Sequence, residues 1–227
     1  VTDGVHRSLI ALLGDATATS DTKANAAAAL CNLSGNAATS ERLVTAGVHT
    51  SLSALLGDAT ATPGTKHNAS AALYNLSIND ATRERLVTDG VHRSLSELLA
   101  DATATPFTKV TAALALCNLS FNDATHERLV TDGVHTSLSA LLADATTTPG
   151  TKKNASAALC NLSSNAATRE RLVTAGVHRS LSELLGDATA TPDTKDNAAA
   201  VLCNLSRNAA TRERLVTDGV HTSLSAL

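Results

Sequence analysis

One asparagine recurs at a fixed place in five nearly identical hexads, ALCNLS at 29–34, ALYNLS at 72–77, ALCNLS at 115–120 and 158–163, and VLCNLS at 201–206. The five residues are Asn32, Asn75, Asn118, Asn161 and Asn204. A carboxamide is both a hydrogen-bond donor and an acceptor, so it can pair with the N–H and C=O groups of an extended ligand backbone of any sequence. Two alternatives stay open: a bond to the backbone of a neighbouring unit, and glycosylation, for which Asn-Leu-Ser is an acceptor sequence.

Histidine and cysteine also recur, and their spacing argues against a metal site and against disulfides. The residues are His6, His49, His92, His135, His178 and His221, and Cys31, Cys117, Cys160 and Cys203. If each type occupies one position of a repeating unit, neighbours lie about 10 Å apart. Zinc–nitrogen bonds are about 2.0–2.1 Å long, and the Cα atoms of a disulfide lie within about 7 Å. We therefore expect no metal or other cofactor, and histidines that act locally at helix starts.

Catalytic constellations are not evident in the sequence. It contains no Gly-rich phosphate loop, no nucleophile elbow and no pair of acids outside the repeating pattern. His67 beside Tyr74 is one candidate general base, but a structural or ligand-contacting role is predicted for it. An enzyme is not expected.

The hexads belong to a repeat of 43 residues, because the five asparagines and Gly4, Gly47, Gly90, Gly133, Gly176 and Gly219 all recur at that interval. The predicted repeats are 4–46, 47–89, 90–132, 133–175 and 176–218, with a partial repeat at 219–227. A period in the forties is typical of stacked helical units that cannot bury their apolar faces alone. The sequence therefore predicts one elongated domain over 1–227 that begins and ends inside a repeat, as an excised segment would.

Repeat 47–89 shows how each unit forms helices. GVHTSLSALLGD places Val48, Leu52, Leu55 and Leu56 at helical spacing. A second helix follows with Thr62 as its N-cap and Pro63 at its first position, and Asn79 caps a short charged helix that ends near Gly90. Three helices per repeat are predicted.

ERLVTAGVHTSLSALL at 41–56 and NASAALYNLS at 68–77 resemble, in order and spacing, the two halves of an armadillo repeat, and equivalents recur at each 43-residue step. The resemblance implies an all-α, right-handed α-solenoid whose third helices line a concave groove that binds an extended peptide or protein segment through an asparagine ladder. His49 departs from the family, which often has proline there. Ala28 and its equivalents replace the tryptophan of the nuclear-import adaptors, which argues against binding of nuclear localisation signals.

Variation among the repeats is concentrated on one side of the third helix, at 21, 24, 28, 31 and 35 and at the same positions 43 residues onward. At about 100° per residue these positions fall within roughly 80° of arc, beside the asparagine. The opposite side, with Ala26, Ala29, Leu30 and Leu33, hardly changes and is predicted to be core. The variable side matches the surface from which armadillo proteins contact ligands.

The predicted ligand-binding residues combine the asparagine ladder with these variable positions. Besides the five asparagines they are His67, Tyr74, Ile78, Phe107, Val110, Leu114, Phe121, Lys153, Asp193, Asp196 and Arg207. The six from Tyr74 to Phe121 form an exposed apolar patch, and the last four form a mixed-charge region. The predicted partner is therefore an extended segment with bulky apolar anchors followed by a basic residue. In an alternative interpretation the apolar residues fill an irregular seam, and the protein is a structural or self-assembling rod, natural or designed.

Composition narrows the remaining classes. The chain has 227 residues, 43% hydrophobic and 17% charged, with three aromatic residues and a net charge of −3. A net negative charge does not favour binding to the phosphates of nucleic acid. No apolar run approaches the roughly 18 residues of a membrane span. Neither nucleic acid nor membrane is an expected partner, whereas end-to-end or groove-mediated self-association is. Cysteines without a C-x-x-C motif suggest a reducing compartment, the cytoplasm or the nucleus.

Overall fold

A computed structural model describes residues 4–221 of the chain, and the predicted domain's residues 1–3 and 222–227 lie outside this range. Its regular structure within that range is entirely helical. The helices form two compact units that divide between Asn122 and Asp123. None of the helices in the described range is both long enough and apolar enough to cross a bilayer.

The helices of the first unit are α1 (Val5–Gly14), α2 (Ser20–Ser34), α3 (Ala37–Thr45), α4 (Val48–Gly57), α5 (Pro63–Ile78), α6 (Asp80–Thr88), α7 (Val91–Ala100) and α8 (Pro106–Leu119). The first unit contains two complete three-helix sets, α1–α3 and α4–α6, followed by the two helices α7 and α8. Equivalent helices of successive repeats pack on one another. The long helices α2, α5 and α8 contact in succession, as do α1, α4 and α7, and α3 lies against α6. The long helices therefore form one continuous layer of this unit.

The second unit repeats the arrangement. A 3-10 turn at Asp123–Thr125 precedes α9 (His126–Thr131), α10 (Val134–Ala143), α11 (Pro149–Ser164), α12 (Ala166–Thr174), α13 (Val177–Gly186), α14 (Pro192–Ser206) and α15 (Ala209–Thr217). Here α11 packs on α14, α10 on α13, and α12 on both α9 and α15. The prediction of three helices per repeat is confirmed in both units.

Local sequence signals set the helix boundaries. Thr62 is extended and its side chain accepts a hydrogen bond from the Thr65 amide, and Pro63 occupies the first helical position of α5. Asn79 caps α6 in the same way through the Ala81 amide. Gly90 has φ +84°, a left-handed conformation that a residue with a Cβ adopts only with strain, so it can turn the chain from α6 into α7. All three boundaries were predicted from the sequence.

The core consists of small and branched aliphatic side chains. Ala69, Ala72, Leu73 and Leu76 of α5 are completely buried, as are their counterparts in α8 and α11. The alanines let neighbouring long helices approach closely, and the leucines fill the space between layers. Because the buried side of each long helix is taken up in this way, its opposite side is the one presented to solvent.

Candidate functional site

The variable positions of the long helices are accessible to solvent, and we call this surface the variable face. In the first unit Phe107 is 66% exposed, Phe121 57% and Ile78 52%, while Tyr74, His67, Val110 and Leu114 are half-buried. In the second unit Lys153, Asp193, Asp196 and Arg207 are exposed. Cys117 differs from the rest of this face because it is buried.

The ladder asparagines bridge to the preceding long helix. Asn75 Nδ2 donates to the backbone oxygen of Cys31 at 3.0 Å and to Ser34 Oγ at 3.3 Å. Asn118 Nδ2 donates to Ser77 Oγ at 3.0 Å, and in the second unit Asn204 Nδ2 donates to Ser163 Oγ at 3.1 Å. The bond to a neighbouring repeat, one of the sequence-based alternatives, is therefore present for the amide donor.

The carboxamide oxygens differ from the amide nitrogens, because within residues 4–221 they do not bridge to the preceding long helix. Within the described part of the chain, Oδ1 of Asn75, Asn118 and Asn204 makes no hydrogen bond, and all three side chains are half-buried. Asn161 is also half-buried, and Asn32, in the first long helix, is exposed. A half-buried oxygen of this kind can accept an N–H from a ligand without breaking the bridge between repeats.

Two clusters lie at opposite ends of the apolar residues of the first unit. At the beginning of α8, the Phe107 and His67 rings pack with centroids 4.9 Å apart. Beyond the other end of α8, the Arg83 guanidinium lies 5.4 Å from the centroid of Phe121, and its Nη2 donates to the backbone oxygen of Ile78. Fourteen residues of helix span about 21 Å, so a single anchor side chain cannot contact both clusters.

A pocket of about 400 Å³ opens beside the second cluster, at the carboxyl ends of α2 and α5. It is lined by Ser34, Gly35, Ala37, Ser40, Asn75, Ile78, Asn79 and Asp80. The space exists because Gly35 occupies the position that Ile78 and Phe121 hold in the next two repeats. The ladder residue Asn75 thus lies at the edge of a pocket whose size is set by a variable position.

Charges on the variable face of the second unit are partly paired with one another. Lys153 Nζ lies 2.5 Å from Asp193 Oδ2, with both side chains more than half exposed. This hydrogen bond holds the pKa of Asp193 below its ordinary value. A basic residue of a ligand would have to compete with Lys153 for Asp193. Asp196 lies exposed on the same helix and is accessible to such a residue.

Histidine–aspartate pairs between repeats were not predicted from the sequence, because the histidines were expected to act locally at helix starts. His49 Nε2 and Asp89 Oδ2 are 2.8 Å apart, and in the second unit His178 Nε2 and Asp218 Oδ2 are 2.7 Å apart. The available signal was the occurrence of either aspartate or alanine in the VTDG and VTAG sequences that precede each second helix. Among residues 4–221 no three His, Cys, Asp or Glu side chains are placed to hold a metal ion.

Comparison with known proteins gives matches among solved structures. No protein-family model matches the sequence, and no curated protein matches it. Computationally designed armadillo repeat proteins for modular peptide recognition superpose with a TM-score of 0.82 at 27% identity, over 97% of this chain and 90% of that one. Another designed armadillo repeat protein has a TM-score of 0.80 at 25% identity, over 97% of this chain and 90% of its own.

The chain is an armadillo-type repeat protein. Its fold is the all-α solenoid of that class, as the 43-residue period predicted. A third similar structure, with a TM-score of 0.82 at 24% identity and covering 97% of this chain and 90% of its own, is a designed armadillo repeat protein in complex with the peptide (KR)4. In this armadillo-type chain the ladder asparagines and the variable face lie on the long third helices of the repeats.

Proposed function

We propose that this armadillo-type repeat protein is a binding scaffold that holds extended peptide segments on the variable face. The observation that carries the proposal is the half-used carboxamide: Asn75, Asn118 and Asn204 each donate to the preceding helix and keep Oδ1 as an acceptor. An acceptor repeated once per helix suits the regularly spaced N–H groups of an extended backbone. A similar designed armadillo repeat protein is in complex with the peptide (KR)4, which supports peptide binding by a protein of this fold.

Selectivity in this scaffold comes from the residues that differ between repeats. In the first unit the Phe107–His67 cluster and the Ile78–Phe121 cluster offer apolar contacts, with the pocket at Gly35 between the latter and the ladder. In the second unit Asp196 and Arg207 offer charged contacts. The partner we propose is therefore an extended peptide with bulky apolar anchors. Three further points stay predictions: a basic residue in that peptide, the self-association of the protein, and its location in the cytoplasm.

The test is Asn118→Ala, measured against several unrelated peptides selected from a random display library on the 227-residue chain. Losing one acceptor should weaken every peptide that covers Asn118 by a similar amount, about 0.5–1.5 kcal/mol by calorimetry. The matched control is Ser77→Ala, which removes the internal partner of the amide and leaves the carboxamide in place. It should lower thermal stability without a uniform loss of affinity.

The opposite result would identify the ladder as an internal brace. In that case Asn118→Ala and Ser77→Ala would lower the melting temperature alike, and the affinities of all selected peptides would be unchanged.

A further inference from the structure

A second set of asparagines lies on the same side of the long helices, seven residues before the ladder. Asn25 and Asn68 belong to the first unit, and Asn154 and Asn197 to the second. Seven residues bring an α-helix back to within about 20° of the same direction, roughly 10.5 Å along its axis. We call this set the upstream row.

The upstream row makes the same contacts as the ladder. Asn68 Nδ2 donates to the backbone oxygen of Ala24 at 3.2 Å. Ala24 precedes Asn68 by 44 residues, the same separation as between Cys31 and Asn75. In the second unit Asn197 Nδ2 donates to Ser156 Oγ at 3.2 Å. Ser156 precedes Asn197 by 41 residues, the same separation as between Ser163 and Asn204. In the described part of the chain neither upstream amide uses its Oδ1.

The third repeat interrupts the upstream row in an informative way. Thr111 stands where an asparagine is expected, and its hydroxyl donates to the backbone oxygen of Phe107 in its own helix. Ser70, the counterpart of Ser156, is fully buried, and in the described chain its Oγ has no hydrogen-bond partner. Ser156 accepts a hydrogen bond from Asn197, and within the described residues Ser70 lacks the equivalent bond because Thr111 replaces the asparagine. The upstream row is therefore a distinct feature in which one asparagine is replaced.

The distance between the two rows decides what the upstream row can bind. Paired β-strands lie about 4.7–4.9 Å apart, so a single extended backbone that runs across the helices along one row cannot also reach the acceptors of the other row, about 10.5 Å away. Two extended segments separated by about 10 Å can instead interdigitate their side chains, as facing β-sheets do. The residues between the rows leave room for this in both units, because Ala71 and Ala200 are small.

We propose that the upstream row is a second backbone-binding track, which takes a second extended peptide segment beside the one on the ladder. The proposal rests on the proposed function, because it assigns the same chemistry to a parallel row. In the first unit the track covers the two repeats of Asn25 and Asn68 and ends at Thr111; in the second it covers those of Asn154 and Asn197. The proposed ligand is one chain that doubles back, so that its two extended segments lie side by side on the two rows.

The test uses two display libraries selected on the 227-residue chain, one of single random 10-residue segments and one of two random 6-residue segments joined by a flexible Gly-Ser linker. Binders from the paired library should lose about 3- to 10-fold in affinity with Asn68→Ala or Asn197→Ala, as with the ladder variants Asn75→Ala or Asn204→Ala. Ser156→Ala is the matched control, since it removes the internal acceptor of Asn197 and keeps the amide. It should not change affinity.

Thr111→Asn supplies a gain-of-function arm. An asparagine here can donate to Ser70 Oγ and extend the track into the third repeat, so both the melting temperature and the affinity for paired peptides should rise. If Thr111→Asn raises only the melting temperature, and Asn68→Ala and Asn197→Ala leave every affinity unchanged, the row is an internal brace and the second track is wrong. Peptides sensitive to Asn75→Ala alone would overturn this inference only, whereas no binders from either library would overturn the proposed function as well.

Discussion

At the scale of single residues, repeats of the same sequence pattern differ in whether a buried histidine has a carboxylate partner. His49 is completely buried and bonds Asp89, whose pKa is held below its ordinary value by hydrogen bonds from Arg85 and then from His49. His135 faces a repeat that has Ala175 at the aspartate position. Burial, and then the charge of Arg171, lower the pKa of His135.

This difference predicts that Ala175→Asp makes the second unit less sensitive to acid. With a lowered folded-state pKa, His135 resists protonation when folded, so its unfolded form binds more protons and stability falls as the pH drops below about 6.5. A carboxylate at 175 would favour the charged imidazole and should reduce that loss. Urea unfolding at pH 7 and pH 5, compared with Asp89→Ala in the first unit, would check it; an unchanged pH dependence in Ala175→Asp would contradict it.

At the scale of elements, a lysine of the previous long helix binds the turn before α8 in the first unit and the turn before α14 in the second. Asp101 Oδ1 accepts the Thr103 amide at 2.7 Å, and its Oδ2 accepts from Lys66 Nζ at 2.7 Å, a lysine that is 7% exposed. The bond from Lys66, followed by those from Thr103, holds the pKa of Asp101 far below its ordinary value. In the second unit the matching atoms of Lys152 and Asp187 are 3.6 Å apart.

Asp101→Asn should therefore destabilise the protein more than Asp187→Asn. Removing the charge leaves the nearly buried Lys66 ammonium without its counter-charge, which costs about 1–3 kcal/mol at pH 7. Because the folded pKa of Asp101 is depressed, the stabilisation is present above about pH 4, the unfolded value, and is lost as the pH falls below it. Urea unfolding between pH 3 and pH 7 should show the two variants converging in acid; equal losses at neutral pH would refute the ranking.

At the scale of the whole molecule, the proposed apolar and charged contacts with a ligand lie in different units. The first unit carries the exposed Phe107, and the second the exposed Asp196. Truncating a buried aromatic anchor in a complex can cost about 2 kcal/mol or more, whereas an exposed ion pair contributes about 0–1 kcal/mol. The apolar contacts of the first unit should therefore dominate affinity.

Phe107→Ala is predicted to weaken a display-selected peptide far more than Asp196→Ala, as measured by calorimetry. Its melting temperature should hardly change, because the ring is 66% exposed in the free protein. A dominant Asp196 with a neutral Phe107 would mean that Phe107 packs against something other than the peptide, such as a second copy of the chain.

Much of the fold could be predicted because its signals are local. The Thr62 cap, the proline after it and the left-handed Gly90 act within a few residues, so the boundaries of α5 and α6 follow from the sequence. The variable face was also predictable, because the helical period places residues that are three and four positions apart on the same side of the helix. The burial of Cys117 was not, since neighbouring side chains from other helices decide how much of that face solvent reaches.

The sequence by itself determined the 43-residue period, the three helices of each repeat, the side of the long helix that varies and the presence of a carboxamide on it. Only the tertiary structure decided what those side chains contact. The partner of Asn75 is 44 residues away, that of His49 is 40 and that of Lys66 is 35. These separations depend on how one repeat is displaced along the next, which is set by the packing of alanines and leucines between helices rather than by any local signal.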